Sequence, residues 1–207
     1  MTTTHSVKFE PGNLYHVYNR GNQNQIIFFL QRNYLHFLSL IDKYLIPVSN
    51  LYSYCLMPNH FHLLIMVKSL EAIHENLCGV STHSDALDEN LASHAISEQF
   101  RRLFMSYAKA INRQENLAGS LFQKNVKRRR IEHDQHLLNL IYYIHHNPVH
   151  HKIIDDFTEY PWSSYRSLIS SRETKLSRES VMEWFGGAEA FIDFHSLKHI
   201  MNDDFEL

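Results

Sequence analysis

The order of hydrophobic periodicities along this 207-residue chain predicts an α+β fold built on one mainly antiparallel sheet. Three observations carry that prediction. Short apolar runs alternate with 3.6-residue stripes in the order strand, helix, strand, strand, helix, strand, helix. The middle two strands are separated only by Pro58-Asn59, a tight connection that makes them adjacent. A composition of 44% hydrophobic and 13% aromatic residues, at this length, is that of one globular domain with or without an extension. Together they describe a pattern close to the split βαβ, ferredoxin-like arrangement, with helices packed on a face of the sheet.

Each element has its own signal. Residues 14–19 (LYHVYN) are β-branched and aromatic, and Arg20-Gly21-Asn22 then supplies turn chemistry. Residues 31–45 carry Leu35, Leu38, Ile41 and Leu45 at the spacing of a helix face, and Pro47 stops them. Residues 51–57 and 60–67 read as the paired strands. Residues 68–97 lose periodicity and gain Ser, His, Asp, Glu and Asn, which predicts a long mobile loop or an insertion. Residues 98–116 form a helix with Phe100, Leu103, Phe104, Tyr107 and Ile111 in register. Residues 121–131 are a strand or extended arm, and residues 134–147 a helix with Leu137, Leu138, Ile141 and Ile144 as its stripe, closed by Pro148. After Asp155 the stretch EYPWSSYRSLI and a helix over 178–185 make a C-terminal helical appendage. The chain therefore divides into a main domain, 1–155, and an extension, 156–207, packed on it.

The net charge of −2 conceals a polarity. Residues 101–130 hold nine basic side chains against Glu115 alone, +8, whereas the rest of the chain carries −10. The basic block, which includes Lys124, Lys127, Arg128, Arg129 and Arg130, is a candidate for binding phosphates; solvated helix and strand faces are the ordinary alternative. Two cysteines, Cys55 and Cys78, form neither a disulfide framework nor a zinc-finger spacing, and no stretch has the apolar length of a signal peptide core or a membrane span. The expected compartment is a reducing cytoplasm, with no membrane partner.

Side chains alternate across a strand, so His60 and His62 share one face and can meet one cation. Imidazole nitrogens suit Mn²⁺ and other transition metals; Mg²⁺ serves where water and phosphate oxygens complete its octahedron. Tyr143 and Asn147 lie one helical turn apart and face the same way. A tyrosine hydroxyl is a poor nucleophile unless a nearby cation stabilises the phenolate or the phosphate it attacks. Each of these residues also has an ordinary structural reading. Tyr142, His145, His146, His150 and His151 compete with them on sequence alone.

Four stretches in order, YHVYNRGN (15–22), LMPNHFHLLI (56–65), LFQKNVKRRRIEHDQHLLNLIYYIHHNPV (121–149) and YPWSSY (160–165), strongly resemble the REP-associated tyrosine transposases. These belong to the single-tyrosine, His-hydrophobe-His (HUH) insertion-sequence transposases. The resemblance runs from about Leu14 to Tyr165. It implies a ferredoxin-like catalytic domain that cleaves and rejoins single-stranded DNA through a 5′-phosphotyrosine, aided by a divalent metal (Mg²⁺ or Mn²⁺). His60 and His62 match the metal-binding pair, Tyr143 the nucleophile, and Asn147 the polar third ligand four residues on, where wider relatives use glutamine. Family helices usually continue into an Arg-Ala-Gly type stretch; this chain has His150-His151-Lys152. Asn19 and Arg20 then become candidates for touching a DNA hairpin or its flanking bases, with a strand-end turn at Gly21 as the alternative, and Trp162 and Tyr165 are expected to be packing residues. The expected partner is single-stranded or hairpin DNA, and a homodimer would be required only if a second chain delivered the tyrosine. Two other classes compete: a non-catalytic nucleic-acid-binding protein derived from a transposase, and a metal-dependent phosphodiesterase that activates water.

Overall fold

A computed structural model describes residues 7–78, 89–132 and 134–197. Four strands, β1 (Leu14–Arg20), β2 (Ser49–Met57), β3 (His60–Val67) and β4 (Lys127–Ile131), form one sheet in the order β2-β3-β1-β4. Every neighbouring pair is antiparallel. β1 and β2 run parallel with β3 inserted between them, joined across α1 (Gln31–Tyr44), which is the split βαβ unit. The segment from β3 to β4 contains α2 (Leu70–Cys78) and α3 (Glu89–Glu115), and β4 leads into α4 (Asp134–His150). The ferredoxin-like order read from sequence is therefore present.

Alternation along β3 divides the core into two layers. Phe61 meets Phe37 of α1 and Phe104 of α3, with ring centroids at 5.1 and 5.7 Å. His60 and His62 point the other way, against α4. Helices pack on the sheet as expected, and both of its faces are covered, one by α1 and α3 and the other by α4. β3 shows why: seven of its eight residues are buried, so neither face can be left to water.

Some expectations are corrected. The buried stripe of α1 is Tyr34, Phe37, Leu40 and Ile41, while Leu35 stands exposed, because the aromatic rings reach across to Phe28, Phe61 and Tyr107. Residues 68–97 are not one loop: α2 occupies 70–78 and α3 begins at 89, burying Ile73, Ala92 and Ile96, with 79–88 outside the described residues. Of the strand or extended arm expected over 121–131, the strand proper is 127–131, and Phe122 makes an isolated bridge to Gly21. Pro148 does not close α4. It sits in the last turn, where only one amide donor is lost, and the helix ends after it through His151 N–H to Asn147 O (3.0 Å) and the left-handed Lys152 (φ 55°).

The C-terminal part adds α5 (Tyr165–Ile169), α6 (Arg178–Phe185) and α7 (Ala188–Ser196), of which only α6 was legible in advance. Its extended segments pair with the outer edge of β2: Leu56 N–H donates to Trp162 O, Ser164 N–H to Tyr54 O and Ser177 N–H to Leu51 O. An otherwise open strand edge is thereby covered. Trp162 stacks on Tyr34 at 4.4 Å and Tyr165 is buried, both packing residues as expected.

Candidate active site

The register of β1 on β3 sets Tyr18 opposite His62 and Arg20 opposite His60. On the same face α4 presents Tyr143, whose ring stands edge-on to that of His62 at 5.5 Å, and Asn147, whose Oδ1 lies 3.2 Å from His60 Nε2. The rings of His60 and His62 are 5.3 Å apart. All four predicted residues converge within one chain. Tyr142 points elsewhere, stacking on His146 at 5.0 Å and approaching His195 of α7. Of the competing histidines, His145 lies in a separate network, His146 packs tilted against Phe157, and His151 approaches His60, at 4.8 Å between rings.

The hydrogen bonds around the imidazoles test whether a cation fits. His60 Nδ1 lies 2.7 Å from the acceptor Asn59 Oδ1, so Nδ1 carries the proton and Nε2 the lone pair. That lone pair faces another acceptor, Asn147 Oδ1. His62 Nδ1 is 2.8 Å from His16 Nε2, and its own Nε2 is buried with no hydrogen-bond partner among the described residues, as is Asn147 Nδ2. Rotating the Asn147 amide would give His60 a donor but leave His62 Nε2 an orphan. Protonation is opposed by burial, which with neighbouring His151 and Arg20 holds His60 down to about 4 and, with His16 and the same charges, His62 well below its ordinary value. A cation between His60 Nε2, His62 Nε2 and Asn147 Oδ1 satisfies all three atoms. Two imidazoles and an amide oxygen suit a divalent ion that keeps sites for water or phosphate. Among the described residues, no group of three or more His, Cys, Asp or Glu could hold a metal ion.

The basic run is divided by the pleat. Lys127 and Arg129 pair with Tyr18 and His16 and share the histidine face, Lys127 lying over the Tyr18 ring at 5.8 Å. Arg128 and Arg130 take the opposite face, where Arg128 lies over Phe9 and donates to Val7 O, and Arg130 pairs with Glu10 at 2.7 Å. Lys124 is exposed ahead of β4. Asn19 is 4% exposed and internally bonded, accepting from Arg20 N–H and donating to Gln123 O. Arg20, by contrast, has a buried Nε without a partner among the described residues. Gly21 is dictated by space, since a Cβ there would lie 2.0 Å from Gln25 O. Beside His60 opens a cavity of about 280 Å³, lined by Ile26, Pro58, Asn59 and His151 among others.

Sequence reasoning missed His16, which touches His62, and a second buried cluster behind α4. There His195 Nδ1–H donates to Phe191 O (2.8 Å), so its Nε2 accepts from His145 Nδ1–H (2.9 Å). His145 Nε2 then accepts from the Ser164 or Ser53 hydroxyl, at 2.7 and 3.0 Å. The only advance signal for His16 was its place on the same face of β1 as Tyr18 and Arg20.

No protein-family profile and no curated protein matches the chain. Among solved structures, that of the REP-associated tyrosine transposase bound to a REP hairpin is similar over 83% of this chain and 87% of that one, with a TM-score of 0.56 and 13% identity. The chain thus shares its fold with a REP-associated tyrosine transposase.

Proposed function

We propose that this chain is a REP-associated tyrosine transposase of the HUH type, a single-stranded DNA transesterase with Tyr143 as nucleophile. The observation that carries the reading is the convergence of Tyr143, His60, His62 and Asn147 around buried lone pairs that lack a donor. His60, His62 and Asn147 would hold a divalent metal, Mg²⁺ or Mn²⁺, which when bound withdraws charge from a non-bridging phosphate oxygen.

The chain's own residues do the rest. Tyr143 Oη attacks the phosphorus; the Oη–P bond forms as the P–O3′ bond breaks, leaving a 5′-phosphotyrosine and a free 3′-hydroxyl. The phenolic proton passes to solvent and the departing oxygen takes one from solvent. Attack by another 3′-hydroxyl reverses the exchange and joins strands with no external energy, because one phosphoester replaces another. The stiff placement of Tyr143 on α4 keeps the reacting oxygen in position. Arg20, Lys127 and Arg129 on the histidine face, with Lys124 nearby, neutralise the backbone of single-stranded or hairpin DNA. The described part of the C-terminal extension, residues 156–197, braces α4 and β2. The reading needs no homodimer, since one chain supplies all four residues, and it assigns the protein to the cytoplasm. Among the described residues, no helix is long and apolar enough to cross a membrane.

Incubating the protein with labelled hairpin DNA and Mn²⁺, then resolving the products on a denaturing gel, tests the reading. A covalent adduct that disappears in Tyr143→Phe is expected. Cleavage without an adduct would mark a water-activating phosphodiesterase, and binding without cleavage a module that only holds nucleic acid.

A further inference from the structure

Both candidate metal-binding imidazoles are held by a second residue that no motif assigned to the site. Asn59, at the β2–β3 turn, offers Oδ1 to His60 Nδ1 at 2.7 Å. His16, on the neighbouring strand, offers Nε2 to His62 Nδ1 at 2.8 Å, with the two rings nearly coplanar, their centroids 5.1 Å apart and their planes 16° from parallel. His16 is 3% exposed and His62 fully buried, so water cannot stand in for either partner.

Two neutral imidazoles joined edge to edge have only two proton arrangements. If His16 donated to His62 Nδ1, the proton of His62 would sit on Nε2, a buried donor with no acceptor in reach. If His62 donates, its Nε2 is a bare lone pair directed to the place where His60 Nε2 and Asn147 Oδ1 meet. The second arrangement removes the orphan as soon as a cation arrives, and the first excludes the cation. The same holds for His60, whose Nδ1 proton is fixed by an amide oxygen.

We propose that His16 and Asn59 are positioning residues that lock His62 and His60 in the Nδ1–H tautomer, with both Nε2 lone pairs turned toward one divalent metal. This deepens the transposase reading and rests on its ligand set. The β2–β3 turn takes part as well. Asn59 O accepts from Gly21 N–H at 2.7 Å, so the residue that orients His60 is itself clamped to the end of β1. Outer partners of metal-bound histidines change affinity by about 10- to 100-fold when removed.

The test uses the full chain and Mn²⁺ alone, without DNA. Long-range ¹H–¹⁵N spectra of the metal-free protein should show His60 and His62 protonated at Nδ1, and Mn²⁺ affinity followed by electron paramagnetic resonance should fall about 10- to 100-fold in His16→Phe and Asn59→Ala. His16→Gln and Asn59→Asp, which keep an acceptor, should recover most of that loss. Protonation at Nε2 in the wild type would overturn the proposal, as would unchanged Mn²⁺ affinity in a folded His16→Phe and Asn59→Ala. If His16→Phe fails to fold, the wild-type spectra and His16→Gln still decide. Failure here with a DNA adduct intact removes only the positioning roles; tautomers and affinities as expected with no adduct would instead remove the transposase reading.

Discussion

Tyr143 and Tyr142 are neighbours with opposite surroundings. One stands edge-on to His62; the other lies against His146 and α7. Hydrophobic pattern does not separate them, because α4 is buried almost all round between the sheet and the C-terminal helices, so both positions favour an aromatic residue. The spacing of four to Asn147 and the family resemblance point to Tyr143. The histidine pair was legible, since strand alternation alone puts His60 and His62 together. His16 was not, because its contact depends on how β1 registers against β3. Tyr142→Phe should therefore keep full adduct formation on hairpin DNA, whereas Asn147→Ala should lower Mn²⁺ affinity about 10-fold or more without unfolding the chain, measured by titration beside circular dichroism. Equal loss of adduct in Tyr142→Phe and Tyr143→Phe would count against the division of roles.

Among the elements, the strands and α1, α3 and α4 were readable from period and length. The start of α3 and all of α2 were hidden by polar composition, since among the described residues there only Ile73, Ala92 and Ile96 are buried, and the packing that makes them helical is tertiary. The C-terminal helices are tied to α4 by the Ser53–Ser164–His145–His195 chain, which no local pattern announces. Ser164 Oγ accepts from Tyr54 N–H at 2.9 Å and reaches His145 at 2.7 Å. Ser164→Ala strands that buried amide and should cost about 1–3 kcal/mol in urea denaturation. Gly21→Ala should cost at least about 1–3 kcal/mol by the same measurement, because its Cβ meets a backbone carbonyl and not a side chain that can swing aside.

For the whole molecule, four of the buried histidines, His16, His60, His62 and His145, make stability depend on pH. Burial pulls His16 to about 3 and His60 to about 4, and holds His62 and His145 well below their ordinary value. In the unfolded chain they protonate near 6.5, so the unfolded state binds more protons as pH falls from 6.5 toward 4. Their stabilisation is complete above about 6.5 and is lost through that window at about 1.4 kcal/mol per pH unit for each histidine. Urea midpoints measured from pH 7 to 4.5 should fall steeply; a flat profile would mean that these rings are hydrated. Charge is organised at the same scale. The pleat of β4 turns Lys127 and Arg129 to the histidine face, so their alanine variants should each reduce the salt slope of single-stranded DNA binding by about 0.7, while Arg128→Ala and Arg130→Ala leave it unchanged.

The proposed activity rests on one covalent bond. Trapping the protein on hairpin DNA with Mn²⁺, digesting both, and locating the nucleotide-bearing peptide by mass spectrometry should place a 5′-phosphate on Tyr143. A phosphate on Tyr142 or any other residue, or cleaved DNA with no modified peptide, would contradict it.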